Sequence, residues 1–164
     1  MIKFEEASNT DIPLIQQLAH TIWHSHYPGI ISTEQISYML NLMYSANVIA
    51  NELNTGHNWV LIYDDIQPIG FISYVIENGN STVKLNKLYI LNTFHGRGYG
   101  NKSLEYIKSK CIELNIQKLY LTVNKQNLKA IQAYIKAGFF NEKEIVTDIG
   151  NGYVMDDYIM AINL

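Results

Sequence analysis

Apolar positions recur along this chain in two spacings, and the switches between them lay out its elements. Ile2 to Glu6 reads as a short strand. Asn9, Thr10 and Asp11 can each cap a helix, and Pro13 is tolerable in its first turn. Ile15, Leu18, Ala19 and Ile22 then fall at helical spacing, until Pro28 and Gly29 break the pattern in WHSHYPG. Ser32 and Gln35 form a capping box for a second helix, with Ile36, Met39, Leu40 and Met43 as its buried stripe and a continuation toward Leu53. Strands are expected over 57–63 and 67–76, joined by a tight turn at Asp64–Asp65. Asn78–Gly79 is a hairpin signal leading into a strand over about 82–91.

The second half changes period more often. Leu104, Ile107, Cys111 and Leu114 line one face of a helix that starts near Tyr99. KLYLTV at 118–123 suits an interior strand, and Asn127–Ala137 a second amphipathic helix that stops at Gly138. Two last strands, about 139–148 and 153–162, turn at Gly150–Gly152. Strand–helix–strand connections predict a partly parallel sheet with helices on its faces, and the hairpins predict antiparallel flanks.

Composition narrows the classes. The 164 residues fit one domain, residues 1–164, and no repeat or linker interrupts them. Hydrophobic residues make up 48% and charged residues 16%, which argues against disorder. A net charge of −3 argues against a general nucleic-acid coat, which needs dense Lys and Arg. No apolar run approaches the ~20 residues of a membrane span. One cysteine permits no internal disulfide, and a cytoplasmic location is expected.

The stretch FHGRGYGNKS, residues 94–103, sets Gly96, Gly98 and Gly100 at alternate positions just before a helix. Two explanations are open: a tight strand-to-helix connection, or a place where the main chain touches a ligand. Amides at a helix start attract anions, missing side chains admit a pyrophosphate, and Arg97 adds a charge. The stretch lacks the Lys and Ser/Thr of a Walker loop. Its position past the middle of the chain does not suit a dinucleotide fold. Further on, in LTVNKQNLKAIQAYIKAGF at 121–139, Asn127 and Tyr134 stand seven residues apart, about 10 Å along one helix face.

Together these two stretches resemble the GNAT superfamily of acetyl-CoA-dependent N-acetyltransferases. The resemblance implies an α/β fold (α+β by some schemes): a central mixed, mostly antiparallel, twisted sheet of about seven strands flanked by about four helices. It implies acetyl-CoA as cosubstrate, with no metal. The amides of His95, Gly96, Arg97, Gly98, Tyr99, Gly100 and Asn101 would cradle the pyrophosphate. The main chain of Tyr89, Ile90 and Leu91 would pair with the pantetheine arm, and Asn127 would hold that arm from the other side. Tyr134 would protonate the leaving thiolate. His95 stands where the family has Arg or Gln, which puts a side-chain phosphate contact in doubt.

The acceptor side is less legible. Glu77, closing a strand, is the leading candidate for general base. His26 and Tyr27, expected in the loop between the first two helices, border the acceptor site in proteins of this family. Asp156 and Asp157 are candidates for drawing in a cationic amine, but adjacent strand residues face opposite ways, so at most one can do so; Asp156 is taken as the acceptor contact. His24 and His26 alone do not make a zinc site. The expected partner is a small-molecule amine, with a protein or peptide amine as the alternative; no nucleic acid or membrane is expected, and a homodimer is compatible with the family. The competing function is a non-catalytic acyl-CoA-binding or regulatory module.

Overall fold

A computed structural model describes all residues, Met1–Leu164. Seven strands form one mixed sheet in the order β1-β2-β3-β4-β5-β7-β6, numbered along the chain. They are β1 (Ile2–Glu6), β2 (His57–Asp64), β3 (Gln67–Glu77), β4 (Thr82–Ile90), β5 (Lys118–Asn124), β6 (Phe140–Gly150) and β7 (Tyr153–Asn163). β1 with β2, β2 with β3, β5 with β7 and β6 with β7 run antiparallel. β4 and β5 run parallel, and their ladder is short: Thr82–Lys84 pairs with Lys118–Tyr120, although β4 continues to Ile90 and β5 to Asn124.

Five α-helices accompany the sheet: α1 (Ile12–His26), α2 (Thr33–Tyr44), α3 (Ala46–Asn54), α4 (Tyr99–Glu113) and α5 (Leu128–Lys136). This is the expected fold with one more helix. The continuation toward Leu53 is a separate helix, because Ser45 takes an extended backbone and its hydroxyl accepts from Val48 N. Helix α1 also runs further than expected, through His26, with Tyr27 as its C-cap. Leu114 falls beyond the end of α4 and is exposed, whereas Leu104, Ile107 and Cys111 are buried as expected. No helix is long and apolar enough to cross a membrane.

The chain divides into two compact units. The first comprises Met1–Val75 and Lys87–Ser103. Its core is aromatic: the Trp23 ring lies 5.9 Å from Tyr44, which lies 5.7 Å from Phe71, which lies 5.8 Å from Trp59. Edge-on and tilted pairs of this kind add about 0.5–1.5 kcal/mol each beyond the area they bury. Ile15 and Ile22 of α1 are buried in the same unit, as is Leu61 of β2, which lies directly opposite Phe71.

The second unit comprises Ile76–Asn86 and Leu104–Leu164. Here β5 alternates, with Leu119, Leu121 and Val123 buried and Thr122 exposed. Helix α5 ends at Gly138, whose φ of +97° only glycine adopts without strain. A Cβ there would lie 3.1 Å from Ile162 Cδ1, so the end of α5 lies against the Ile162 face of β7. Lys108 of α4 donates to Ala137 O at 2.7 Å, tying the two helices together.

Candidate active site

In the first unit, the end of β4 leads into the glycine stretch through a single 3-10 turn, Asn92–Phe94. Gly96 and Gly98 have φ of +77° and +79°, so the turn itself requires them. Gly100 is different. It sits inside α4, outside the left-handed region, and a Cβ there would meet nothing within 4 Å. Neither conformation nor packing asks for glycine, which costs a helix up to about 1 kcal/mol relative to alanine. The open space over Gly96, Gly98 and Gly100 is what an approaching ligand would use. Lys102 N is the first amide to bond back, to Gly98 O at 3.1 Å, so the turn before it presents its N–H groups outward. Such a cradle fits a diphosphate.

Two expectations about this loop change. The His95 amide is already spent on Asn92 O at 3.0 Å, so the cradle runs from Gly96 to Asn101. The His95 ring turns toward the strand: Nε2 lies 2.8 Å from Ile90 O, and against a carbonyl it must carry the hydrogen. His95 therefore clasps the loop to β4. Arg97 stacks 4.8 Å over the Phe94 ring. The hydroxyl of Tyr99, with the amino terminus second, holds the Asp64 carboxyl below the usual carboxylate range.

Glycine also shapes β3. A Cβ on Gly70 would lie 2.2 Å from Tyr89 O and 3.0 Å from Ile90 Cα, so β3 and β4 close up only because that side chain is missing. Tyr89 is fixed from its other end, its hydroxyl 2.9 Å from that of Tyr27. Tyr27 itself is buried, with its ring 4.3 Å from Trp23. It is thus a brace for Tyr89 and not the open loop residue expected. His26, the last residue of α1, sets its ring edge-on to Tyr27 at 4.9 Å. A groove of about 330 Å³ lies between Leu14 and Leu18 of α1, Pro68 of β3 and Leu91.

In the second unit, Asn127 is the N-cap of α5, accepting from Ala130 N at 3.4 Å. Tyr134, two turns on, is half-buried with its ring 5.7 Å from Phe139. Burial pushes its phenol up to about 12. Glu77 accepts from the Tyr120 hydroxyl at 2.7 Å. It ends β3 seven residues beyond Gly70, roughly 23 Å along an extended strand.

Of the two aspartates, Asp156 is the outward one. It is exposed and paired with Lys125 at 2.7 Å. Asp157 is the inward one, 6% exposed.

The family model for the acetyltransferase (GNAT) family matches residues 16–139. The chain belongs to this family. A spermine/spermidine N(1)-acetyltransferase of Bacillus subtilis (strain 168) is 27% identical over 118 residues, covering 66% of this chain and 75% of that one. The crystal structure of the PaiA N-acetyltransferase from Thermoplasma acidophilum, in complex with coenzyme A, superposes with a TM-score of 0.86 at 25% identity, covering 100% of this chain and 99% of that one. A spermidine N-acetyltransferase SpeG mutant from Vibrio cholerae superposes with a TM-score of 0.72 at 19% identity, over 99% of this chain and 93% of that one; that likeness is one of fold.

As a GNAT acetyltransferase the chain is an enzyme whose acyl donor is acetyl-CoA. Its first unit brings together Tyr27, Tyr89, Ile90, Leu91, His95 and the amides from Gly96 to Asn101. Its second unit carries Asn127 and Tyr134 on one helix and Asp157 on β7. The sequence reading of the GNAT motifs missed Gly70 and Asp64. A lone glycine in an otherwise apolar strand was the available signal for the first; for the second there was none, since its partner Tyr99 lies 35 residues away.

Proposed function

We propose that this acetyltransferase transfers the acetyl group of acetyl-CoA directly to a primary amine of a small cationic molecule. Acetyl-CoA, when bound, supplies a thioester open to attack by an amine. The amides of Gly96 to Asn101 would hold its diphosphate, with the Arg97 guanidinium adding charge. The main chain at Tyr89, Ile90 and Leu91, braced by Tyr27 and clasped by His95, would line its arm, and the Ile90 amide would face the carbonyl oxygen as that oxygen gains charge. Asn127 would steady the arm from the start of α5.

The observation that carries the catalytic part is Tyr134: a half-buried phenol with no hydrogen-bond partner of its own, raised to about 12 and so protonated throughout the neutral range. A thiol titrates near 8.5. The phenol is the weaker acid, so Tyr134 donates a hydrogen bond to the growing thiolate charge, and the proton released by the acceptor amine completes the balance. That amine, near 10.4 when free, must lose its proton before attack. Desolvation in the closed site assists, and the proton leaves through water.

The small cationic acceptor is favoured by the relative named for spermine and spermidine. The test is thiol release from acetyl-CoA with a panel of amines, comparing wild type with Tyr134→Phe. Amine-dependent release that falls at least tenfold in kcat in the variant supports the proposal. Acetyl-CoA binding with no amine-dependent release by wild type leaves a binding module in its place.

A further inference from the structure

One buried group in the second unit has no internal explanation. Asp157 Oδ1 is buried without a hydrogen-bond partner. Buried carboxylates are ordinarily paired or hydrogen-bonded, because an isolated charge out of water is costly. The nearby cations do not supply the pair. Lys125 Nζ is committed to Asp156 at 2.7 Å and to Glu144 at 3.1 Å. Lys84 draws the carboxyl down only through space. Desolvation outweighs both lysines, with Asp156 adding to it, and lifts the carboxyl to about 6, so it is still mostly ionised at pH 7.

Strand register says where this charge faces. Asp157 is directly opposite Asn124 on β5 and Ile145 on β6, so the three share one face of the sheet. The next pair on that face of β5 and β7 is Thr122 with Ile159, and Thr122 is exposed. Ile162, an odd number of residues along β7, faces the other way, and that is where α5 lies. The carboxylate therefore sits on the face away from α5, beside a half-buried amide and an open hydroxyl. No group of three His, Cys, Asp or Glu side chains surrounds it, so the donor set suits an ammonium and not a divalent cation.

We propose that Asp157 is the receptor for an ammonium group of the acceptor, so that the substrate class is an amine carrying a second, cationic nitrogen, with spermidine as the probe. This rests on the reading that the chain acetylates amines, and the experiment separates the two. Spermidine is titrated by calorimetry into protein saturated with coenzyme A, which cannot turn over, for wild type, Asp157→Asn and Asp156→Asn. The expected result is a loss of spermidine affinity of tenfold or more in Asp157→Asn, less than threefold in Asp156→Asn, and unchanged coenzyme A affinity in both. A ¹³C NMR titration of wild type supplies a second measurement: spermidine lowers the midpoint of the Asp157 carboxyl. Equal spermidine binding by wild type and Asp157→Asn, no binding by wild type, or a midpoint that spermidine does not move each overturns the proposal. Amine-dependent thiol release that Asp157→Asn leaves untouched does the same while sparing the transfer reading. Spermidine binding that needs Asp157, with no thiol release from acetyl-CoA, refutes the transfer reading alone.

Discussion

Replacing Asp157 by Asn isolates the cost of burying an unpaired charge. Burial raises this carboxyl from an ordinary 3.8 to about 6, so the folded chain holds its proton more tightly than the unfolded chain does. Between pH 4 and pH 6 the folded state then carries more protons, and linkage makes wild-type stability fall as pH rises through that window. At about 1.4 kcal/mol for each pH unit, the loss between pH 4 and pH 7 is about 3 kcal/mol. Asn never ionises and has no such loss. Its own buried amide costs about 1–3 kcal/mol if left unmatched, but that cost does not vary with pH. The quantity to measure is therefore the stability of Asp157→Asn minus that of wild type, by urea denaturation from pH 4 to pH 8 without added amine. Every other carboxylate titrates in both proteins and cancels. The difference is expected to grow in the variant's favour by about 3 kcal/mol, or about 6–12 °C in Tm for a chain of this size, with its midpoint near pH 5 and a plateau above about pH 6. A flat difference, or one that grows toward acid, refutes the argument that an unpaired charge is buried there.

Other substitutions test the remaining parts of the site. Gly100→Ala should stabilise the fold by up to about 1 kcal/mol through helix propensity while weakening acetyl-CoA binding; thermal melts and calorimetry read the two opposite signs, and unchanged affinity would remove the ligand reading of that glycine. Gly70→Ala should destabilise by about 2 kcal/mol or more, because the new methyl group meets the Tyr89 carbonyl and backbone cannot yield as a side chain can; an unchanged Tm would contradict the close approach. Since the Tyr134 phenol is held near 12, the pH profile of kcat should rise with deprotonation of the amine and show no basic fall below about pH 10; a descending limb near pH 9 that Tyr134→Phe abolishes would mean the phenol is far more acidic than its burial implies.

How far the chain can be read without its structure depends on how local each cause is. The three glycines and the Asn127–Tyr134 spacing are local patterns, and both stretches fold where they were expected, as loop-to-helix and as cap-to-second-turn. The extra helix α3 turned on one residue, Ser45, which ends one helix and caps the next; periodicity alone runs straight through it. The partner of Glu77 was not legible, because the Tyr120 hydroxyl that it accepts from lies 43 residues further along the chain. The lone glycine of β3 is visible in the sequence, but the Tyr89 carbonyl that it lets in is set by the pairing of two strands and not by any local pattern.

The aspartate pair shows the limit most sharply. Alternation along β7 requires that Asp156 and Asp157 point to opposite faces, which the sequence carries without help. Which of them is buried depends on register with two partner strands, and β6 slips against β7 at Asn141/Lys143 and again at Asp148/Gly150. A slip of one residue changes which residues face each other across a ladder without leaving any trace in composition. The charge left unpaired by that register is also the one that nothing within the chain neutralises, since Lys125 beside it is taken by Asp156 and Glu144. A folding pressure alone would have replaced so costly a group with an apolar residue, at a gain in stability. That Asp157 remains ionisable in the interior argues that something outside the chain completes it, and for an enzyme that must select one amine among many, that completion is how selection would be made.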